Sequence, residues 1–248
     1  MSLIAVSDLH IWGPQDPVYA SLIALIQLRA KPSDTLVLAG DLFDVWVGNK
    51  TIFLHLYSSF FNQIQAAAQR GVRIYYIEGN HDFMMKKVFE KIPGVTVCSR
   101  TIQIEVQGKI FHCAHGDLVD PRDYGYRLLR LFFRSPLMKA LVALVPGEWL
   151  SRFGQFSSQK SRSQHKNLPL AQMEYLRRTF RSYAAERISQ GADFVILGHC
   201  HDLDEMSFHV GNRAAQYINI GFPRIHGSFL SWNPGDPKIQ REKLPPSC

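Results

Sequence analysis

Five short runs of mostly apolar residues in this chain each lead into a cluster of aspartate, asparagine or histidine residues. They are LIAVSDLH, TLVLAGDLFD, YYIEGNHD, KIFHCAHGD and VILGHCHD. Apolar runs of this length are typical of strands buried on both faces. Because the loops that follow parallel strands converge on one edge of an open α/β sheet, the pattern predicts a single polar site at that edge.

Helical patterns lie between these runs. Strands that alternate with helices predict a layered α/β or α+β core. A hairpin about Gln107 and Gly108 would turn part of the sheet antiparallel. We expect strands at Leu3–Val6, Thr35–Ala39, Val72–Glu78, Ile102–Val106, Lys109–Ala114, Phe194–Leu197 and Gln216–Ile220, and helices at Val18–Arg29, Phe53–Arg70 and Leu170–Gln190.

The segment from 123 to 166 departs from this alternation. It is helical in pattern, dense in Leu, Phe and Arg, and interrupted by Pro136 and Pro146. We expect a helical cap inserted into a core formed by residues 1–122 and 167–248. Two ordinary core-packing helices are the alternative, because apolar stripes at helical spacing usually face a core.

The composition indicates which kinds of binding partner and which cell compartment we expect for this protein. The formal charge of +7 on 248 residues favours an anionic partner: nucleic acid, a phosphorylated metabolite or an anionic membrane surface. The four cysteines show no paired spacing, which favours reduced thiols in a cytoplasmic protein. The sequence lacks an apolar run of about 18 residues, so no membrane span is predicted, and its first apolar run is too short for a signal peptide.

The polar residues after the strands are metal-ligand types. Side chains two residues apart on extended backbone point the same way, so Asp8 with His10, and His199 with His201, can each face one centre. Asp, Asn and His without thiolate suit Mn²⁺, Fe or Zn²⁺. The candidate ligands are Asp8, His10, Asp41, Asn80, His115, His199 and His201. Seven ligands exceed the need of one catalytic metal but suit two metals about 3.5 to 4 Å apart that share a carboxylate.

Two divalent cations among these carboxylates would retain excess positive charge, which suits a phosphate or diphosphate. Glycines beside the ligands, including Gly79 and Gly198, are expected to remove Cβ bulk where backbones crowd.

The ordered motifs DxH, GDxxD, GNHD, HGD and GHxH resemble those of the calcineurin-like metallophosphoesterase family, over residues 1–122 and about 190–222. The resemblance implies a two-sheet β-sandwich core flanked by helices and hydrolysis of phosphoric esters. It further implies that His81 contacts the phosphoryl group or protonates the leaving oxygen, and that Asp82 orients His81. By the same resemblance, Asp8, His10, Asp41 and His201 would hold the first metal, and Asp41, Asn80, His115 and His199 the second.

Within that family the chain looks most like the UDP-2,3-diacylglucosamine hydrolases of lipid A synthesis. The similarity rests on GDLFDVWVG, GNHDF, DYGY after HGD, and SSQKSRSQHK after the helical insertion. It implies two divalent ions, expected to be Mn²⁺, a lipid-linked nucleotide sugar cleaved to UMP and a lipid sugar phosphate, and acyl chains held by the insertion. It also implies a position on the cytoplasmic face of the inner membrane, with neither nucleic acid nor a protein as partner. The implied substrate contacts are Asp123, Tyr126, Ser158, Lys160 and Arg162.

One residue departs from the motif of those hydrolases. They carry GNRD, whereas this chain has His81 in GNHD, the commoner residue across the wider superfamily. This departure favours, as an alternative, a generic phosphodiesterase, phosphatase or nuclease of the same superfamily. A metal-free scaffold of the same fold, such as the retromer subunit that resembles these enzymes, is a further alternative, against which the seven filled ligand positions argue.

Polar residues near the motifs have competing interpretations. Asp44 either supports a metal ligand or caps a helix. Asp117 is expected to orient His115 or a neighbouring loop, and His112 to be a core histidine. Four arginines of the insertion region either face lipid phosphates or form a solvated helix face; they are Arg122, Arg127, Arg130 and Arg134.

Overall fold

Two β-sheets packed face to face form the centre of the computed structural model, which describes residues 1–145 and 169–246. The strands are β1 (Leu3–Val6), β2 (Thr35–Leu38), β3 (Trp46–Val47), β4 (Arg73–Ile77), β5 (Asp82–Phe83), β6 (Val95–Cys98), β7 (Thr101–Val106), β8 (Lys109–Ala114), β9 (Phe194–Leu197), β10 (Glu205–Val210), β11 (Arg213–Asn219), β12 (Ser228–Trp232) and β13 (Gln240–Lys243). The helices are α1 (Pro17–Leu28), α2 (Thr51–Leu56), α3 (Ser58–Gln69), α4 (Lys86–Phe89), α5 (Tyr124–Phe133), α6 (Pro136–Leu144), α7 (Leu170–Ser189) and α8 (Pro223–His226).

The first sheet has six strands in the order β13-β12-β1-β2-β4-β6. Its strands β1, β2, β4 and β6 are parallel, and β12 and β13 add antiparallel partners at one edge. The second sheet has five strands in the order β10-β11-β9-β8-β7, with β8, β9 and β11 parallel. The expected hairpin is confirmed, because β7 and β8 pair antiparallel around Gln107 and Gly108.

Both faces of the central strands are buried, which explains their continuous apolar runs. In β1, Ile4 and Val6 pack towards α1 and α3, while Leu3 and Ala5 pack against the second sheet. Side chains of α7, including Phe180, cover the outer face of the second sheet. The layers are therefore helix, sheet, sheet and helix, as expected from the family resemblance.

Several elements differ from the sequence prediction. The helix expected at Phe53–Arg70 is divided at Tyr57, whose φ of −111° and ψ of 31° lie outside the helical region. The strands β6, β10, β12 and β13 were not predicted. β10 and β13 are edge strands whose alternation is weak, since the exposed polar sequence QREK of β13 joins the sheet through backbone pairing with β12.

The segment that follows residue 122 begins with two short helices, α5 and α6, which carry exposed apolar residues. Asp123 caps α5 by accepting from the amide of Tyr126, and Ser135 caps α6. Leu128 and Leu131 of α5 remain 71% and 68% exposed, which is not the distribution of a core-packing helix pair. Among the described residues, no helix has both the length and the apolar character that crossing a membrane requires.

Candidate metal centre

The carboxyl ends of strands from both sheets meet at one place and bring all seven candidate ligands together. The first sheet contributes Asp8 and His10 after β1, Asp41 after β2 and Asn80 after β4. The second contributes His115 after β8 and the pair His199 and His201 after β9. Three groups have ligand atoms within 4.8 Å of one another: Asp8, His10 and His201; His10, Asp41 and His81; and Asp41, His115 and His199.

The first group lies around the Nε2 atoms of two histidines. His10 Nε2 is 3.3 Å from His201 Nε2, which is itself 3.4 Å from Asp8 Oδ1. Asp41 Oδ2 is 3.9 Å from His10 Nε2. Asp8, His10 and His201 thus lie within ligand distance of one another, and Asp41 lies next to His10.

The second group lies around His115. Its Nε2 is 3.1 Å from Asn80 Oδ1, 3.3 Å from His199 Nδ1 and 3.4 Å from Asp41 Oδ2. The other ring nitrogen, Nδ1, donates to the carbonyl of Ala39 at 3.0 Å, which directs Nε2 at the centre. Asp41 Oδ2 therefore belongs to both groups, in the position of a bridging carboxylate.

These separations fit cation coordination. Ligand atoms at about 2.1 Å from a metal lie roughly 3.0 to 3.4 Å from one another in octahedral or tetrahedral geometry. The separations around His115 Nε2 fall in this range. The chain therefore fits a pair of divalent ions, held by carboxylate, amide and imidazole groups.

Burial and charge make the site dependent on a cation. Burial lowers the pKa of His10 to about 3 and that of His199 to about 4, so both imidazoles are neutral ligands at neutral pH. Burial also opposes the charged form of His115, but the Asp41 carboxylate outweighs it and raises the pKa of His115 well above its ordinary value. A proton on His115 thus takes the place of a cation, and metal binding would displace it.

Five ligands adopt left-handed backbone conformations that L-residues rarely take. They are Asp8, His10, Asp41, His199 and His201, with φ between 46° and 69°. Each such residue costs about 1 to 2 kcal/mol unless its surroundings compensate. Both residues of each pair, Asp8 with His10 and His199 with His201, are in this region, so the pairs do not lie on the extended backbone expected from the sequence. Strain repeated at five ligands indicates that ligand direction is favoured over local backbone preference.

Close backbone approach makes the neighbouring glycines necessary, as the sequence predicted. A Cβ at Gly79 would lie 2.1 Å from Asp41 Oδ1, and one at Gly198 would lie 2.4 Å from Asp8 Oδ2. The loops that carry the ligands pack against each other through these two positions.

Asp82 has a different contact from the one predicted for it. Its buried carboxylate accepts from the amides of Asp41, Leu42 and Gly79 and from the Tyr76 hydroxyl. Burial and the Asp41 charge raise its pKa, whereas these donors stabilise the carboxylate. Since its oxygens are occupied by four donors, Asp82 fixes the Asp41 loop and not the ring of His81.

The ring of His81 is held by another residue of the same region. Its Nδ1 is 2.8 Å from the backbone carbonyl of Asp44, and its amide donates to Asp41 Oδ1 at 2.9 Å. The ring stands edge-to-face against His10, with centroids 4.8 Å apart. His81 therefore lies beside the first group.

Asp117 connects the second group to α5. Its Oδ2 accepts from the Tyr126 hydroxyl at 2.5 Å and from Arg130 Nε at 2.8 Å. The ring of Tyr126 is 6.3 Å from that of His199. These bonds are to the helix α5, whereas the sequence predicted contact with His115 or a neighbouring loop.

Arg134 provides a second connection between α5 and the site. It forms an ion pair with the buried Glu78, and its Nη2 lies 3.4 Å from the carbonyl of Gly79, next to Asn80. Arg130 and Arg134 thus face the protein, which differs from both sequence interpretations. Motif spacing alone missed this contact, although Tyr126, Arg130 and Arg134 recur every four residues on one helix face.

The remaining expected site residues have varied positions. Asp123 is the N-cap of α5. Asp44 Oδ1 is 3.6 Å from His10 Nδ1 and no helix begins there, which supports the ligand-supporting interpretation. His112 is buried against Tyr183, as expected for a core histidine. Ser158, Lys160 and Arg162 lie outside the described residues.

The chain is similar to curated proteins and to solved structures. The chain is 29% identical to a protein named UDP-2,3-diacylglucosamine hydrolase from Aeromonas salmonicida, over 99% of this chain and 95% of that protein. It is 27% identical to a protein of the same name from Aeromonas hydrophila, over 98% of this chain and all of the relative. A solved archaeal phosphodiesterase matches with a TM-score of 0.48 and 14% identity over 98% of this chain and 100% of that structure.

The sequence profile described as calcineurin-like phosphoesterase matches residues 1–203, which include all seven candidate ligands. The matched region also contains His81 and the contacts of α5 with the site. The chain therefore belongs to the calcineurin-like phosphoesterase family.

Proposed function

We propose that this protein is a dimetal hydrolase that cleaves the diphosphate of UDP-2,3-diacylglucosamine, giving UMP and 2,3-diacylglucosamine 1-phosphate. The observation that carries the proposal is the direct connection between the metal-ligand cluster and a helix with an exposed apolar side. Tyr126 and Arg130 of α5 hold Asp117, two residues after His115, while Leu128 and Leu131 of the same helix are exposed. A diacyl nucleotide sugar requires both a diphosphate site and an apolar surface.

In the proposed centre, Asp8, His10, Asp41 and His201 hold the first ion, and Asp41, Asn80, His115 and His199 the second. When bound, two divalent ions, of which Mn²⁺ is our expectation, neutralise phosphoryl charge and activate water for attack at phosphorus. The bond of His115 to Ala39 directs its Nε2 at the second site, where the ion would displace the proton on that nitrogen.

His81 supplies the remaining polar group beside the phosphoryl position. Its Nδ1 faces a carbonyl, which only accepts, so Nδ1 carries a proton and Nε2 is the nitrogen available to substrate. Two roles remain for Nε2: donating a proton to the leaving oxygen, or binding a phosphoryl oxygen. These roles predict different responses to the leaving group and can be separated kinetically.

The insertion from 123 to 166 is the proposed cap over the lipid part of the substrate, between core segments 1–122 and 167–248. Asp123, Tyr126, Ser158, Lys160 and Arg162 are its proposed substrate contacts. The exposed leucines of α5 and α6 and the net charge of +7 support peripheral binding to an anionic membrane, which we place at the cytoplasmic face of the inner membrane.

The test is hydrolysis of detergent-dispersed UDP-2,3-diacylglucosamine by the purified, Mn²⁺-loaded protein. We expect UMP and a lipid sugar phosphate as products, and, in ¹⁸O-water, the label in UMP if the attack is at the α-phosphate. Absence of UMP, together with rapid cleavage of another phosphodiester, would overturn the assignment of substrate.

A generic phosphodiesterase or nuclease is the second candidate, and His81 with the positive net charge favours it. Binding of nucleic acid weakens steeply as salt increases, because phosphate contacts release counterions. Turnover of the dispersed lipid that is insensitive to salt would count against a nuclease. Elemental analysis that finds no Mn, Fe or Zn in the purified protein would instead favour a metal-free scaffold.

A further inference from the structure

The connection between β11 and β12 contacts both histidines of the first group, although none of the metal motifs lies in it. This connection, residues 220–227, carries Phe222 and Arg224. Phe222 stacks on the imidazole of His201, with ring centroids 4.4 Å apart and an interplanar angle of 5°. The same ring stands edge-to-face against His10 at 5.9 Å.

Arg224 holds the backbone on which His10 lies. Its Nη2 donates to the carbonyl of His10 at 2.8 Å and to that of Leu9 at 3.0 Å. The guanidinium is itself fixed by Asp16, whose carboxylate is fully buried and lies 2.5 Å from Nη2. Two peptide carbonyls and one carboxylate thus bind the guanidinium of Arg224, which lies more than 200 residues later in the sequence.

Asp16 also forms hydrogen bonds with the backbone of the turn that follows His10. Its Oδ2 accepts from the amide of Trp12 at 3.2 Å, and its Oδ1 accepts from the amide of Val18 at 3.0 Å, where it caps α1. The turn from His10 to the start of α1 is therefore folded around one carboxylate, and Arg224 neutralises it.

The backbone of His10 requires such support. Its φ of 46° is in the left-handed region, and this conformation directs Nε2 towards His201 and Asp41. An extended conformation at His10 would relieve the strain but turn the ring away from the first group. Arg224 bonds to the carbonyls of Leu9 and His10 when the two peptides have this arrangement. These bonds therefore favour the strained conformation of His10.

We propose that Arg224 is a positioning residue for His10, and that it thereby sets the affinity of the first site for its metal ion. Phe222 has the corresponding effect on the ring of His201. The inference rests on the proposed dimetal centre and concerns the first site alone, since the hydrogen bonds of Arg224 within the described residues go to Leu9, His10 and Asp16 and not to the ligands around His115.

The test is Mn²⁺ binding by the full chain, measured calorimetrically and by electron paramagnetic resonance. We expect two bound ions and a spin-coupled spectrum for the wild-type protein. Arg224→Gln should lower the affinity of one site by about 10- to 100-fold, the range for groups that orient metal ligands, and leave the other unchanged. The spectrum at limiting Mn²⁺ should then be that of an isolated ion.

Arg213→Gln is the matched control. Arg213 also bridges backbone carbonyls, those of Ala192 and Ile188, and an aspartate, Asp193, at a similar exposure of 30%. It is the first residue of β11, which runs parallel to β9, so it lies at the end of the sheet opposite the ligands. This variant should lower the unfolding temperature without altering either Mn²⁺ affinity. Millimolar guanidinium should restore the weakened site of Arg224→Ala, which a purely structural loss would not allow.

If Arg224→Gln binds two Mn²⁺ ions with the same affinities as the wild-type protein, the positioning role is overturned and the dimetal proposal stays intact. An equal loss of Mn²⁺ affinity in Arg213→Gln would also overturn the positioning role, because the effect would then come from a general loss of stability. If Arg224→Gln does not fold, Phe222→Leu decides: unchanged Mn²⁺ affinity and an unchanged coupled spectrum would overturn the role of this connection. A wild-type protein that binds a single ion would overturn the dimetal centre itself.

Discussion

His115 Nε2 and His199 Nδ1 lie 3.3 Å apart at the ends of two neighbouring parallel strands, with Asp41 Oδ2 3.4 Å from the same Nε2. Three ligand atoms from three strands converge there because each strand places its first loop residues at the same edge of the fold. Such convergence is stable only with a cation or a proton between the lone pairs.

Asp41→Ala should remove both metals, because its Oδ2 reaches the ligands of both groups. Asn80→Ala should weaken the second site alone. We expect activity to fall more than about 100-fold in Asp41→Ala, beyond the range for groups that only orient ligands. Metal content after dialysis, measured by mass spectrometry, checks the prediction, with exposed Glu186→Gln as the control. Retention of two ions by Asp41→Ala would contradict the bridging position.

His81→Ala should reduce turnover and leave both metals bound, since the ring is fixed through Asp44 and lies beside the ligands. If His81 donates a proton, the variant should lose far more activity on an alkyl leaving group than on p-nitrophenolate, which needs no proton. Equal losses on both would indicate binding of the phosphoryl oxygen. His81→Arg, which restores the GNRD motif, is the conservative comparison. Loss of both metals from His81→Ala would show that it is a ligand.

Sequence spacing predicted the ligand cluster because strand ends are local features with a fixed direction. The i and i+2 spacing of Asp8 with His10 is visible without knowledge of distant contacts, although both residues adopt left-handed conformations and not the extended backbone expected from the sequence. The contacts of Asp82 with Leu42 and of Arg224 with His10 depend on loop packing between residues 40 and 214 positions apart in sequence. Neither has a periodic signal, so the family resemblance assigned Asp82 to the wrong partner and Arg224 went unnoticed.

The edge strands show the same limit. β13 is polar throughout and is a strand because β12 offers it unpaired backbone groups, which a single-sequence pattern does not reveal. The division of the second helix at Tyr57 has a tertiary cause too, because the Tyr57 ring is buried between Phe43 and Trp46. Packing there overrides the helical pattern of the surrounding residues.

Arg134→Gln should loosen the contact between α5 and the loop of Asn80. The substitution leaves the buried Glu78 carboxylate without its cation, and we expect a loss of about 1 to 3 kcal/mol in the free energy of unfolding. Urea unfolding, together with amide exchange in α5, checks this. The control is Arg127→Gln, on the exposed side of the same helix. The double variant Glu78→Gln with Arg134→Gln should recover part of the loss, and strict additivity would contradict direct coupling.

Lowering the pH should reduce the free energy of unfolding, because His112 is buried in its neutral form. Burial and the nearby Arg187 lower its pKa to about 4, below the unfolded value of about 6.5. Since the unfolded chain binds the proton more tightly, the contribution of His112 to stability is complete above pH 6.5 and declines as pH falls towards 4. The full difference is roughly 3 kcal/mol.

His112→Gln should therefore lose less stability than the wild-type protein between pH 8 and pH 5, measured by urea unfolding at each pH. Glutamine keeps a polar group for the Tyr183 hydroxyl, which is 3.0 Å from His112 Nε2. Parallel pH profiles of the two proteins would show that His112 does not titrate on unfolding.

Replacement of the exposed leucines of α5 should separate lipid recognition from phosphoester chemistry. Leu128 and Leu131 are on the helix that contacts Asp117, but their side chains point outwards and touch none of the ligands described above. Acyl chains that cover these two leucines would stabilise the bound substrate by about 1.5 to 3 kcal/mol for each side chain that becomes fully buried. The double substitution Leu128→Ser with Leu131→Ser removes this contribution. The KM for UDP-2,3-diacylglucosamine should then rise about tenfold or more, while hydrolysis of bis(p-nitrophenyl) phosphate stays unchanged. Leu28→Ser, at a leucine of α1 that is 57% exposed, is the control and should change neither reaction. An unchanged KM in the double variant would place the acyl chains elsewhere, and parallel losses on both substrates would show that α5 serves the metal loops and not the lipid.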